Sequence, residues 1–275
     1  MELLKRIGNI ALRIVLLFLA LTLVSTILFY VPFMAPLVTI TGNLVMVLPV
    51  IIAYFILRDN KRYSLLVKDK IWINNFFKGS VIGIVSIGVV FLINLLRGSI
   101  EISSVNNVLT DSHFYVFLIM MLGVGIGEEV FSRGYMQNMS IYFGNIPLGI
   151  IIPSGVFALL HFLNPGALNN PIPTVNLILI SIVFALMTLF TNSIWMAIGY
   201  HFTWNFFQGK IFGMNVSGLV IPNPLFQLNL KNNDLFYGGQ FGPEGGLLVT
   251  IVLLISLGLM YYGYKNRKYP YRPIN

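Results

Sequence analysis

FYVFLIMMLGVGIGEEVFSRGYMQNM, residues 114–139, is an apolar run that carries two adjacent carboxylates, Glu128 and Glu129, and a guanidinium, Arg133. About 20 mostly apolar residues suffice for a helix to cross a bilayer. Seven further stretches qualify, at roughly 10–31, 37–57, 79–96, 146–163, 172–190, 193–208 and 246–264. The expected fold class is therefore all-α: a polytopic membrane helix bundle of about eight transmembrane helices. Composition agrees, since 57% of the 275 residues are hydrophobic and only 9% charged, against about 25% charged in soluble domains. Cysteine is absent, which removes disulfides, thiolate nucleophiles and thiolate metal ligands.

The first apolar run follows Lys5, Arg6 and Arg13 but is longer than a usual signal-peptide core and lacks a small-x-small cleavage site, so it reads as a retained helix. In a membrane protein a net charge of +8 bears on orientation, not on nucleic acid. With eight spans and a cytoplasmic N-terminus, the inner segments hold fourteen basic residues: Lys5, Arg6, Arg13, Arg58, Lys61, Arg62, Lys68, Lys70, Lys78, Arg133, Lys265, Arg267, Lys268 and Arg272. The outer segments hold Arg97, Lys210 and Lys231. The positive-inside rule thus places both termini in the cytoplasm. Along the chain we expect helices 1–3 with a basic cytoplasmic loop over 1–113, a core of helices 4–7 over 114–208, and an outer loop, last helix and basic tail over 209–275. The Asn/Lys/Ile-rich character points to a bacterial plasma membrane, with an organellar one as alternative.

Ionisable groups within the bilayer cost several kcal/mol unless they are paired and face protein or water, which makes them candidates for function. Glu129 has a partner one turn on in Arg133, the acid leading the base in the favourable i,i+4 order. Glu128 has none at that spacing, which suits a general base. A structural ion pair bracing the bundle is the alternative. Phe157 and His161 share a helix face at four-residue spacing, as do His201 and Asn205. Either histidine could serve only as interhelical glue, but an imidazole and a carboxamide on one face also suit an oxyanion. Two histidines and a glutamate (Glu128, His161, His201) match a zinc ligand count; the H-E-x-x-H arrangement is absent, and metal-free hydrolysis with no cofactor is favoured. Gly123, Gly125 and Gly127 lie in an apolar helix and read as points of close helix contact.

Helix rise puts Glu128 roughly 9 Å and His201 roughly 12 Å from the cytoplasmic side, and His161 roughly 22 Å. Irregular backbone over 140–152, around Gly144, Pro147, Gly149 and Pro153, would bring His161 level with the others. The expected cleft then opens to the cytoplasm, with Ser132 and Thr203 reachable from that side.

The three pairs in order, E-E-x-x-x-R at Glu128 to Arg133, F-x-x-x-H at Phe157 to His161 and H-x-x-x-N at His201 to Asn205, resemble the pattern of the intramembrane proteases and bacteriocin-processing or self-immunity proteins related to type II CAAX prenyl endopeptidases. The resemblance covers roughly 115–210; Ser132 departs from it, standing where members commonly carry an aromatic residue. It implies an intramembrane endopeptidase in which Glu128 and His161 activate water, His201 and Asn205 stabilise the oxyanion, and Glu129, Arg133 and Phe157 support the site. The implied partners are the lipid bilayer and a membrane-associated peptide or protein substrate. The rivals are a non-proteolytic immunity or scaffold protein and a proton-coupled transporter. The charge distribution predicts that reporter tags at residues 1 and 275 are both cytoplasmic and one within 225–240 is outside; a C-terminal tag on the opposite side from an N-terminal one would mean an odd number of spans.

Overall fold

The computed structural model describes residues 2–31, 40–267 and 271. Lys268 and Arg272 of the inner charge set, and residues 37–39 at the start of the second expected span, lie outside the described residues. The apolar runs become helices α1 (Glu2–Tyr30), α2 (Gly42–Ile56), α3 (Trp72–Leu96), α4 (Ser112–Phe143), α5 (Ile146–Leu160), α6 (Ile172–Thr191), α7 (Trp195–Phe206, continued by a π turn, Phe207–Ile211) and α8 (Leu247–Lys265). Five of these, α1, α3, α4, α6 and α8, are long and apolar enough to cross a membrane, and α2 and α5 are shorter apolar helices. The chain is a multi-pass all-α membrane bundle.

Neighbours pack as α1 on α2, α4 on α2 and α7, α3 on α7, and α6 on α5 and α8. Helices α3 and α7 approach each other closely. A Cβ on Gly79 would stand 1.9 Å from the Met196 carbonyl oxygen, and one on Gly199 would stand 2.1 Å from that of Phe76. Only glycine permits such contact, the usual route to close association in lipid.

The two ends of the bundle differ in chemistry. At the basic end the fully buried Asp59 carboxylate accepts hydrogen bonds from Arg13 Nε at 3.0 Å, Arg62 Nη1 at 2.8 Å, the Tyr63 hydroxyl at 2.9 Å and the Tyr135 hydroxyl at 3.0 Å. These tie α1, the α2–α3 loop and α4 together. At the far end Ile100–Val105 pairs antiparallel with Phe226–Leu230 in a small ribbon, with Ile100 opposite Leu230 and a bulge between Ile102 and Ser104. Neither strand belongs to an apolar span. Ion pairs flank the ribbon, Arg97 with Asp234 at 2.6 Å and Lys231 with Glu101 at 2.8 Å.

Two expectations about local structure are corrected. Residues 140–152 are not irregular: α4 stops at Gly144, the Asn145 side chain caps the next helix by accepting from the Leu148 N–H at 2.9 Å, and α5 runs through Pro153. Pro147 falls in the first turn, where its missing N–H costs nothing. Nor is the fourth span α-helical throughout, because Val130–Gln137 is a π-helix, a form frequent at functional sites. Gly199→Ala should lower thermal stability in detergent by about 1–3 kcal/mol, the usual cost of overpacking. An unchanged melting temperature would show that the α3–α7 contact is not a tight one.

Candidate functional site

Glu129 closes the last α turn before the π segment and is fully buried. One oxygen, Oε1, accepts from Arg133 Nη1 at 3.0 Å and from His201 Nδ1 at 2.9 Å. The pairing expected at four-residue spacing therefore forms across the α–π junction. Arg133 is itself fully buried, and its other terminal nitrogen donates to the Ser181 carbonyl at 3.1 Å and hydroxyl at 2.7 Å. Its guanidinium carbon lies 5.1 Å from the ring centres of both Phe157 and Phe184. Arg133 thus belongs to the membrane interior and drops out of the inner charge set.

Glu128 lines a cavity of about 500 Å³. Its Oε1 accepts from the side-chain amide of Asn43, while Oε2 is buried without a hydrogen-bond partner among the described residues and lies 3.9 Å from His201 Nε2. Asn43 was missed by sequence reasoning. It stands at the start of α2, far from any motif, and nothing local distinguishes it. What brings it here is the glycine row on α4: a Cβ on Gly127 would stand 1.9 Å from the Asn43 carbonyl oxygen, and one on Gly123 would stand 1.9 Å from that of Thr41. The row does provide close contact, and that contact delivers a hydrogen-bond donor to Glu128. Ser181, also missed, left a clearer trace as a lone hydroxyl in the apolar run LILISIVF, since such groups commonly bond across helices.

His161 caps the end of α5; its Nδ1 lies 2.8 Å from the Phe157 carbonyl oxygen, so Nδ1–H donates there and Nε2 carries the lone pair. Its ring and that of Phe157 are 4.7 Å apart, the shared face expected from their spacing. His201 stacks on Phe184 at 5.3 Å, and Asn205 follows one turn on. Glu128, His161, His201, Asn205 and Phe157 all line the cavity; Glu129 and Arg133 sit behind it. Among the described residues no three His, Asp or Glu side chains are grouped to hold a metal ion, so Glu128, His161 and His201 do not fit a zinc site in this conformation.

The cavity opens away from the basic end. Leu21 of α1, Asn43 of α2, Met121 of α4, His161 of α5, Asn176 of α6 and Val249 of α8 all line it from the halves of their helices remote from Arg13, Asp59 and Lys265. Ser217, Leu219 and Glu244 of the loops at that end complete the mouth. The expectation of a cleft facing the inner end is thus corrected. Glu128 lies near the midpoint of Ser112–Phe143. Thr203 does not line the cavity; its hydroxyl donates to the Gly199 carbonyl at 2.8 Å and packs against Gly83 of α3.

No curated protein and no solved structure matches the chain. Residues 110–207, roughly a third of the chain, carry Glu128, Glu129, Arg133, Phe157, His161, His201 and Asn205, and they match the family described as Type II CAAX prenyl endopeptidase Rce1-like, as the motif resemblance led us to expect.

Proposed function

We propose that the chain is an intramembrane endopeptidase that hydrolyses peptide bonds of membrane-associated peptides or proteins with a water activated by Glu128. The observation that carries this reading is the buried Oε2 of Glu128 on the cavity wall, which has no hydrogen-bond partner among the described residues, in a cavity also lined by two histidines whose Nδ1 atoms are already engaged. Asn43 holds the other oxygen, so the carboxylate presents one oxygen to water. That oxygen takes a proton as the water attacks the scissile carbonyl, and the proton then passes to the leaving amine, with His161 Nε2 as a second acceptor.

Charge balance assigns His201 its role. Glu128, Glu129 and Arg133 sum to one negative charge, and an uncompensated charge inside a bundle is costly. A protonated His201 brings the group to zero. Its Nδ1–H is spent on Glu129, which leaves Nε2–H to donate to the oxyanion together with the Asn205 amide. Glu129 and Arg133 hold that imidazolium in place, and Phe157 and Phe184 wall off water around the guanidinium. Both termini are cytoplasmic in this reading, and the membrane is a bacterial plasma membrane. No step is routed through a metal.

Glu128→Gln should abolish turnover and leave the melting temperature near that of the parent, because it removes a base and keeps the shape. The measurement is a proteomic comparison of membranes carrying the parent and the variant: identical peptide profiles would sink the peptidase reading and favour an immunity or scaffold role. Arg133→Ala should instead lower protein accumulation, since a buried carboxylate that loses its partner costs about 3–5 kcal/mol; normal accumulation would show that Glu129 is paired otherwise. Purified protein should hold substoichiometric metal and keep its activity after exhaustive chelation, and one zinc per chain needed for activity would reverse the metal-free assignment.

A further inference from the structure

We infer that the cavity takes its substrate from the extracytoplasmic face of the membrane, as an extended, uncharged apolar segment of a translocated or membrane-anchored peptide. The word substrate rests on the peptidase reading; the side of access does not.

The route from the basic end is packed shut. Between the site and that surface lie Phe131, Tyr135, Met136 and Met139 of α4, each fully buried, with Leu17 of α1 and Val50 of α2 packed into the same cluster. The Asp59 network locks that end from below. A peptide entering there would have to part this buried cluster.

The opposite end is built as a rim. Gly218 lies so close to Pro165 that a Cβ would stand 2.1 Å from its carbonyl oxygen, and one on Gly166 would stand 2.8 Å from the Phe241 nitrogen. These contacts bring the 161–171, 213–220 and 238–246 loops to one place. Asn176 of α6 donates to the Glu244 and Gly246 carbonyls at 2.8 and 3.0 Å, and the Glu244 carboxylate accepts from the Ser217 hydroxyl at 3.0 Å. The same loops expose Leu163 (96%), Leu168 (66%) and Val220 (78%), an apolar collar suited to the outer-leaflet interface.

Charge decides which end faces out. Every described basic residue from Lys5 to Arg13, from Arg58 to Lys78, and at Lys265 and Arg267 lies at the closed end. At the open end Arg97 and Lys231 are paired with acids, and Lys210 lies 3.9 Å from Asp111. The positive-inside rule then puts the rim outside. The walls decide what enters. Leu21, Val124, Leu160, Leu177, Trp204 and Leu253 line the cavity, and among the described residues no lysine or arginine does. An acidic segment or a free C-terminal carboxylate would meet no lysine or arginine and would face the Glu128 and Glu244 carboxylates, whereas an internal apolar segment would be solvated by the apolar side chains.

The natural chain lacks cysteine, so single cysteines report cleanly. In intact cells producing Asn164→Cys or Ser217→Cys, a membrane-impermeant maleimide should label both positions as fully as after permeabilisation. Lys68→Cys at the basic end should be labelled only after permeabilisation. Ser132→Cys on the cavity wall should react with a small methanethiosulfonate added outside. Labelling of Lys68→Cys in intact cells, with Asn164→Cys and Ser217→Cys protected until permeabilisation, would overturn the inference, as would cleavage sites in the Glu128→Gln comparison that lie on cytoplasmic segments. Because labelling needs no turnover, the expected pattern without any cleavage product would uphold the access side and sink the peptidase reading alone.

Discussion

A carboxylate, a guanidinium and an imidazole share one hydrogen-bonded point in the membrane interior, Glu129 Oε1. Each alone would be expensive in a medium without water, and together they are affordable only if the helices that carry them stay in register. Glu129 and Arg133 come from α4 and His201 from α7, and α6 supplies the Ser181 bonds to the guanidinium. The polar cluster therefore dictates how three helices meet. It also explains the aromatic residues around it: Phe157 and Phe184 cover the faces of Arg133 and leave its charge directed at Glu129.

The groups proposed to be catalytic are arranged on this scaffold, not within it. Glu128 is the neighbour of Glu129, yet a single residue's step around the helix gives it a different environment, with Asn43 on one oxygen and the cavity on the other. The π segment begins immediately after this pair. Its wider turn lets Ser132 reach the cavity wall while Arg133 points back to Glu129. The bundle is accordingly asymmetric along its axis: a sealed basic end anchored on Asp59, and an open end framed by the ribbon and the loops that follow α5 and α7.

The apolar helices and the uneven charge of the two ends were legible because the bilayer acts on every helix separately: length, hydropathy and flanking charge are local properties. The chemistry of Glu128 to Arg133, Phe157 to His161 and His201 to Asn205 was legible for a similar reason, since each pair shares a helix and its spacing alone puts both members on one face. Depth was not legible. It depends on where each helix begins and ends, and an uninterrupted α5 through Pro153 leaves His161 in the half of the bundle remote from the basic end.

The sequence by itself determined a multi-span helical protein with paired charges in its interior, because burying an unpaired charge in lipid is too costly to leave any other reading. Only the tertiary structure decided which residues complete the site and which way it opens. Asn43 precedes Glu128 by 85 residues and meets it because glycines at 123 and 127 let two backbones touch. The mouth, likewise, is assembled from three loops that share no pattern in the chain and meet only through close contacts at Gly166 and Gly218. Such contacts are fixed by packing between distant segments, which no local periodicity encodes.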